Sequence, residues 1–234
     1  MLPSPARGLR RAELLTADPL ASVLRYQDLL GWVPVASDDG ALDCWVGERR
    51  CASVRTPRTG EPNGWRPVFA GAAHDGSLTG PEDAIALVVR GRAQHGPHAP
   101  RPRPGEPCWV ELATADPGRA DAFWAETLNW AVRAESPGAD YPGAESAGAG
   151  SAGADYLVDD RPLAGRSDGA AGAGWLCYFA VADLAGAQDR AVELGASARR
   201  RAHPVLGEVL LVTDSLDGTI GLAAVERWGG SAAR

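Results

Sequence analysis

Lysine is missing from this sequence: all 23 basic residues are arginine. With no side-chain amine, Schiff-base chemistry and a lysine general base are excluded. Donors for transition metals are scarce as well. The 234 residues hold 4 histidines and 4 cysteines, and Cys44, Cys51, Cys108 and Cys177 form no CxxC pair, so buried reduced thiols are expected rather than disulfides or a zinc site. No run approaches the length of a membrane span, and the start "MLPSPARGLRR" offers no apolar signal region, so a cytosolic protein is expected. Basic excess is lacking too. A net charge of −7 gives no electrostatic reason to expect nucleic acid or an anionic membrane as partner.

What the sequence does have is a repeat. "WVELATADPGRADAFWAETLNW" from Trp109 restates "RAELLTADPLASVLRYQDLLGW" from Arg11 without a gap, with Glu, Leu, Thr, Ala, Asp, Pro, Leu and Trp recurring in place. Self-similarity of this kind signals duplicated units. "CWVELAT" alternates as a strand does. Asp116 or Thr114 can then cap a helix with Pro117 in its first turn. Ala120, Phe123, Trp124, Thr127 and Leu128 form its apolar stripe, and Asn129, placed like Gly31, suits a left-handed C-cap. Further on, "DCWVGERRCA" from Asp43 matches "DYLVDDRPLA" from Asp155, and "GWRPVFAGA" from Gly64 matches "GWLCYFAVA" from Gly174. After Ala72 the first copy has little room for a helix like the one expected in "VADLAGAQDRAVELGA". The expected organisation is a first domain over 1–91 with a shortened second module, a Pro-rich linker over 92–106, a complete domain over 107–228 and a tail over 229–234. The low-complexity stretch Glu135 to Asp155 reads as a solvated loop grown into the second domain, the other reading being a flap over a pocket.

"PCWVELATADPGRADAFW", the module start at "GWLCYFAVADLAGA" and the terminal "VTDSLDGTIGL" resemble signatures of the vicinal oxygen chelate superfamily, which includes glyoxalases, bleomycin-resistance proteins and extradiol dioxygenases. The resemblance covers nearly the whole chain and is nearest to tandem-domain glyoxalase-like proteins. It implies an α+β fold: two tandem domains of paired βαβββ modules whose curled sheets enclose a cavity, with domain 1 partly degenerate. In metal-bearing members, His, Gln or Glu occupies the first and last strand of each module. By that resemblance the matching positions here are Trp109, Leu176, Leu222 and, more loosely, Leu163. In domain 1 the first-strand counterparts are Arg11 and Arg66. Indole and alkyl groups donate no electron pair to a divalent cation, so no metal and no cofactor are expected. His95 and His98 fall in the linker, and His74 and His203 in expected loops.

Alternation puts Trp109, Glu111 and Ala113 on one strand face and Cys108, Val110 and Leu112 on the other. The resemblance makes the Trp109 face the cavity wall, joined by Leu176, Tyr178 and Ala180 and by Ile220, Leu222 and Ala224, with Cys177 and Phe179 toward the helices. The expected ligand-binding set is Trp109, Ala113, Tyr156, Leu163, Leu176, Ala180, Ile220 and Leu222, an apolar, aromatic trough suited to a flat hydrophobic molecule. Glu111 is the candidate general base or acid, because desolvation raises a carboxylate's pKa. Alternatively it pairs with Arg161 or Arg166, and its twin Glu13 points to a structural role. Tyr178 is the candidate hydrogen-bond donor to a carbonyl, or else a core aromatic with its hydroxyl at the wet edge. Trp109 stacks a ligand or plugs the old metal position. Trp45, Trp65, Trp124 and Trp175 read as packing, and Arg199, Arg200 and Arg201 as a solvated surface cluster.

The sequence leaves two functions open. One is a metal-independent protein that binds a hydrophobic, aromatic or polycyclic natural product, for self-resistance or hand-over in biosynthesis. The other is a metal-independent cyclase, isomerase or lyase using Glu111 and Tyr178. A structural or dimerising module without ligand is the weaker third reading. The expected state is a monomer with intramolecular domain pairing or a homodimer.

Overall fold

A computed structural model describes residues 8–95, 101–134, 153–168 and 174–224. His98, the tail over 229–234 and the Glu135 to Asp155 stretch through residue 152 lie outside the described residues. The first half of the sequence forms β1 (Leu9–Leu15), α1 (Pro19–Leu30), β2 (Val33–Ala36), β3 (Leu42–Val46), β4 (Arg49–Arg55), β5 (Gly64–Phe69), β6 (Gly76–Thr79), a three-residue 3-10 turn (Pro81–Asp83) and β7 (Ile85–Val88). The second half forms β8 (Pro107–Thr114), α2 (Pro117–Leu128), β9 (Ala131–Ala134), β10 (Ala154–Val158), β11 (Arg161–Asp168), β12 (Gly174–Val181), α3 (Leu184–Glu193), β13 (Ser197–His203), β14 (Gly207–Asp214) and β15 (Gly218–Ala224). No described helix is long and apolar enough to cross a membrane.

The strands join two mixed sheets, as the α+β reading requires. One has the order β2-β3-β4-β1-β5-β7-β6 and the other β13-β14-β15-β12-β8-β11-β10-β9. Where the second half places α3, the first half has only β6 and the 3-10 turn, which accounts for its shortened sequence.

The helix boundaries follow from local chemistry. Asp18 accepts from the Ala21 amide at 3.0 Å and Asp116 from the Arg119 amide at 3.2 Å, so the two copies cap their helices alike. Each begins with proline, whose missing N–H costs nothing in a first turn. Each ends in the left-handed region, at Gly31 (φ 70°) and Asn129 (φ 55°). Thr114 does not cap α2; its hydroxyl donates to Glu82, whose carboxylate also accepts from the Ala115 amide at 3.1 Å. Of the α2 stripe, Ala120, Trp124 and Leu128 are buried, while Phe123 and Thr127 are half-buried.

The sheets keep to the two halves of the sequence, but the compact units do not. One unit comprises Met1–Arg10, Pro67–Ala99 and Trp109–Leu176; the other comprises Arg11–Arg66, Pro100–Cys108 and Cys177–Arg234. Each has an aromatic core assembled from both halves. In the second unit Phe179 of β12 packs edge-on against Trp32 (ring centroids 5.4 Å) and Trp65 (5.3 Å), and Trp65 meets Tyr26 of α1 at 5.3 Å. In the first unit Phe69 of β5 packs edge-on against Trp130 (5.1 Å) and Trp175 (5.8 Å), and Trp175 meets Trp124 of α2 at 5.0 Å. Trp65, Trp124 and Trp175 are therefore packing residues. Edge-to-face rings of this kind add about 0.5–1.5 kcal/mol per pair beyond the area they bury.

Candidate functional site

Strand register decides which side chains share a face. Within the first unit β8 pairs in parallel with β11, setting Glu111 beside Gly165 and Leu112 beside Arg166. Trp109, Glu111 and Ala113 thus share a face with Gly165 and Ser167, and the Trp109 indole lies over Gly165. A Cβ at Gly165 would come within 3.3 Å of the ring, so glycine makes the room that the indole uses. Trp109 and Glu111 are both buried.

Tyr156 does not join this face. It pairs with Ala164, which places it opposite, and its hydroxyl donates to Asp121 of α2 at 2.8 Å. Arg166 reaches the same carboxylate at 3.0 Å, so it is on the helix side and not on the Glu111 side. Burial, then the Asp121 hydrogen bond, raises the Tyr156 pKa above the ordinary tyrosine range. The expectation that Tyr156 lines the same trough as Trp109 is corrected: the alternation that sends Asp155 to one face sends Tyr156 to the other. Leu163 is buried and is the extra residue of a bulge, since β10 pairs Tyr156 with Ala164 and then Leu157 with Pro162. Register alone does not assign such a residue a face.

Tyr178 belongs to the other unit. Its partner on β15 is Gly221, and that of Phe179 is Leu222. Tyr178, Ala180, Gly221 and Ala223 therefore share one face, and Phe179, Ile220 and Leu222 share the other. A Cβ at Gly221 would overlap the Tyr178 ring. The shared lining of Leu176, Tyr178 and Ala180 with Ile220 and Leu222 is thus corrected by a single residue of register, which turns a whole strand over. α3 lies on the Phe179 side, where Arg200 of β13 donates to Gln188 at 2.9 Å.

The structure adds Arg201 and His203 to the Tyr178 face. Arg201 donates to the Tyr178 hydroxyl at 3.2 Å, and the His203 ring meets the Tyr178 ring edge-on at 5.5 Å. His203 is not in a loop: it ends β13, buried, and its Nδ1 accepts from the Val205 and Leu206 amides at 3.1 and 3.0 Å. The arginine triplet is likewise no uniform surface cluster, because strand alternation turns Arg200 outward to Glu208 and Arg201 inward to Tyr178. That alternation is the signal the sequence offers, and it shows only once the triplet is placed on a strand.

The first half carries the twin of the Glu111 face, in the second unit. Glu13 pairs across β1 and β4 with Ser53, as Glu111 does with Gly165. Around it the chemistry differs. Arg55 Nε lies 3.2 Å from one Glu13 oxygen and Arg66 Nε 3.0 Å from the other. Arg55 also holds Glu61 through both Nη atoms, at 2.6 and 2.9 Å. Where the first half has Ser53, Arg55 and Arg66, the second has Gly165, Ser167 and Leu176. At these three places the first half carries two arginines and the second half none.

The metal positions implied by the resemblance hold Trp109, Leu176, Leu222, Arg11 and Arg66, a set that does not fit a divalent cation: indole, alkyl and guanidinium groups offer it no lone pair. Among the described residues no three His, Cys, Asp or Glu side chains converge as a metal cluster would require. The four cysteines are free and buried. Burial pushes the Cys44, Cys51 and Cys177 thiols up to about 12 and the Cys108 thiol higher still.

No family model and no curated protein matches the chain. Solved structures do. BphC, a halotolerant catechol dioxygenase, matches with a TM-score of 0.62 and 13% identity over 95% of this chain and 88% of its own. The Mn(II)-bound glyoxalase from Novosphingobium aromaticivorans matches with 0.63 and 11%, over 95% and 83%. The 2,3-dioxygenase LapB from Pseudomonas sp. KL28 matches with 0.61 and 11%, over 95% and 93%. Two mixed sheets in repeated order and these superpositions together give the chain the fold of the tandem vicinal oxygen chelate proteins.

Proposed function

We propose that this protein is a metal-independent member of that fold group that binds a hydrophobic, aromatic small molecule on the Trp109 face of its second half. The observation that carries the reading is the contrast between twin faces. Both halves keep the strand glutamate, but ion-pairing arginines surround Glu13, whereas Gly165, Ser167 and Leu176 stand at the matching places around Glu111. An indole over a glycine beside aliphatic side chains suits stacking against a flat ring, with Glu111 as the polar group that orients it. Such a site fits a natural-product binding role, in self-resistance or as an accessory to biosynthesis. The similarity to a catechol dioxygenase and a glyoxalase supports a small-molecule site in this fold and carries neither activity over.

The test combines elemental analysis of the purified protein with thermal-shift titration against a panel of polycyclic aromatic compounds. The expected result is no stoichiometric metal and saturable stabilisation by at least one compound, lost in Trp109→Ala and in Gly165→Leu. A bound divalent cation at one per chain, or stabilisation unaffected by both substitutions, would overturn the reading.

A further inference from the structure

The ionic face of the first half is built like a ligand site. Glu13 is buried, and each of its two oxygens takes the Nε of a different arginine, Arg55 at 3.2 Å and Arg66 at 3.0 Å. A guanidinium held through Nε still has its Nη atoms to offer, and here Arg55 turns both of them, and Arg66 one, toward one further anion. That anion is the Glu61 carboxylate. Arg55 Nη1 and Nη2 lie 2.6 and 2.9 Å from its two oxygens, and Arg66 Nη2 lies 3.6 Å away. A planar fork from Arg55, with a second guanidinium alongside it at 3.6 Å, is the kind of arrangement by which proteins recognise a ligand's carboxylate.

We propose that Arg55 and Arg66, braced by Glu13, form a carboxylate-binding site that Glu61 of the same chain occupies in this structure and that an external small carboxylate takes in its place.

Three features separate this arrangement from a closed structural ion-pair network. The cations are the inner partners and the acid is the outer one: the Arg66 side chain is 7% exposed and that of Glu61 26%. Glu61 is carried on the irregular segment between β4 and β5, so its departure breaks no strand pairing. The segment also has its own turn, held by the Glu61 amide donating to the Arg58 carbonyl at 3.0 Å, so that a departing Glu61 side chain gives up one local bond besides the arginines, that from the Arg58 amide at 2.8 Å. Finally, Arg66 is poorly served. Its Nε and Nη2 are buried and within ion-pair range of Glu13 and Glu61, yet among the described residues neither makes a well-aligned hydrogen bond. A better-placed acceptor has donors waiting.

Charge gives the driving force. With Glu61 withdrawn, two guanidiniums, Arg55 and Arg66, share the one carboxylate of Glu13 among the described residues. A buried surplus of positive charge attracts an anion more strongly than an exposed one does. The site differs from the Trp109 face in location and chemistry, so it stands or falls independently of the proposed function.

The test is calorimetric titration of the full-length chain with sodium acetate, which is too small and too polar to report on an aromatic site. Wild type should bind acetate weakly, because Glu61 competes. Glu61→Ala should bind one acetate per chain on the order of tenfold more tightly, still unfolding in one cooperative transition although at a lower temperature, and adding Arg55→Lys, which keeps the charge and loses the fork, should reverse the gain. Absence of saturable acetate binding by Glu61→Ala would overturn the proposal, as would binding indifferent to Arg55→Lys. Inorganic phosphate binding at least tenfold tighter than acetate would also overturn carboxylate as the ligand class.

Discussion

Phe179 packs edge-on against Trp32 with ring centroids 5.4 Å apart, although the two residues come from opposite halves of the sequence. The mirror contact, Phe69 against Trp130 at 5.1 Å, makes the same exchange in the other direction. Each half thus lends a phenylalanine to a tryptophan cluster supplied mainly by the other. Expressed alone, residues 1–106 and 107–234 should lack near-ultraviolet circular dichroism, and co-expression should restore it. Phe179→Ala should cost about 3–5 kcal/mol in urea unfolding of the full chain, the range for emptying a buried aromatic site.

Gly221 is required by the Tyr178 ring above it. Gly221→Ala should destabilise by about 1–3 kcal/mol through overpacking, since ring and strand must both shift. Tyr178→Phe, which removes only the hydroxyl that Arg201 donates to, should cost less. If thermal melts show Gly221→Ala to be as stable as wild type, the register of β12 against β15 is wrong.

Acid should release the Glu61 contact. Hydrogen bonds from Arg55 hold the Glu61 carboxyl down at about 2, below its ordinary value. A depressed folded pKa gives stability that is present above the unfolded value, about 4.3, and is lost as the pH falls toward the folded one. The stability difference between wild type and Glu61→Gln should therefore be full at pH 6 and shrink between about pH 4 and pH 2. A difference constant across that range would contradict the ion pair.

Asp217 should behave in the opposite sense. It is buried under α1, accepting from Ser22 at 2.8 Å with Arg25 at 3.6 Å, and burial raises its pKa. A raised folded pKa means that stability is greatest when the group is protonated and falls as the pH climbs from the unfolded value, about 3.9, through the folded one. Asp217→Asn should accordingly gain in melting temperature relative to wild type as the pH rises from about 4 to 8.

The thiols should be inert. With Cys44, Cys51 and Cys177 near 12 and all four side chains buried, a disulfide reagent at pH 8 should label none of them in the native protein and all four after denaturation. Labelling at a native rate faster than global unfolding would place a thiol at the surface.

The sequence alone determined where α1 and α2 begin and end. Asp18 and Asp116 before proline, and Gly31 and Asn129 after the helices, act within a few bonds of themselves, so their roles could be read without knowing what surrounds them. The repeat likewise carried the fold, because equal patterns fold to equal modules. Tertiary structure decided which face each strand presents and which half completes which core. One residue of register separated Leu222 from the Tyr178 face, and no local signal in "DGTIGLAA" fixes that register; the pairing with β12 and β14 does. The linking of Arg55 to Arg66 through Glu13 was equally illegible, since charges on three different strands become neighbours only when the sheet forms. Short-range sterics and capping are written residue by residue, whereas the partner of a buried charge or ring is chosen by the whole packed chain.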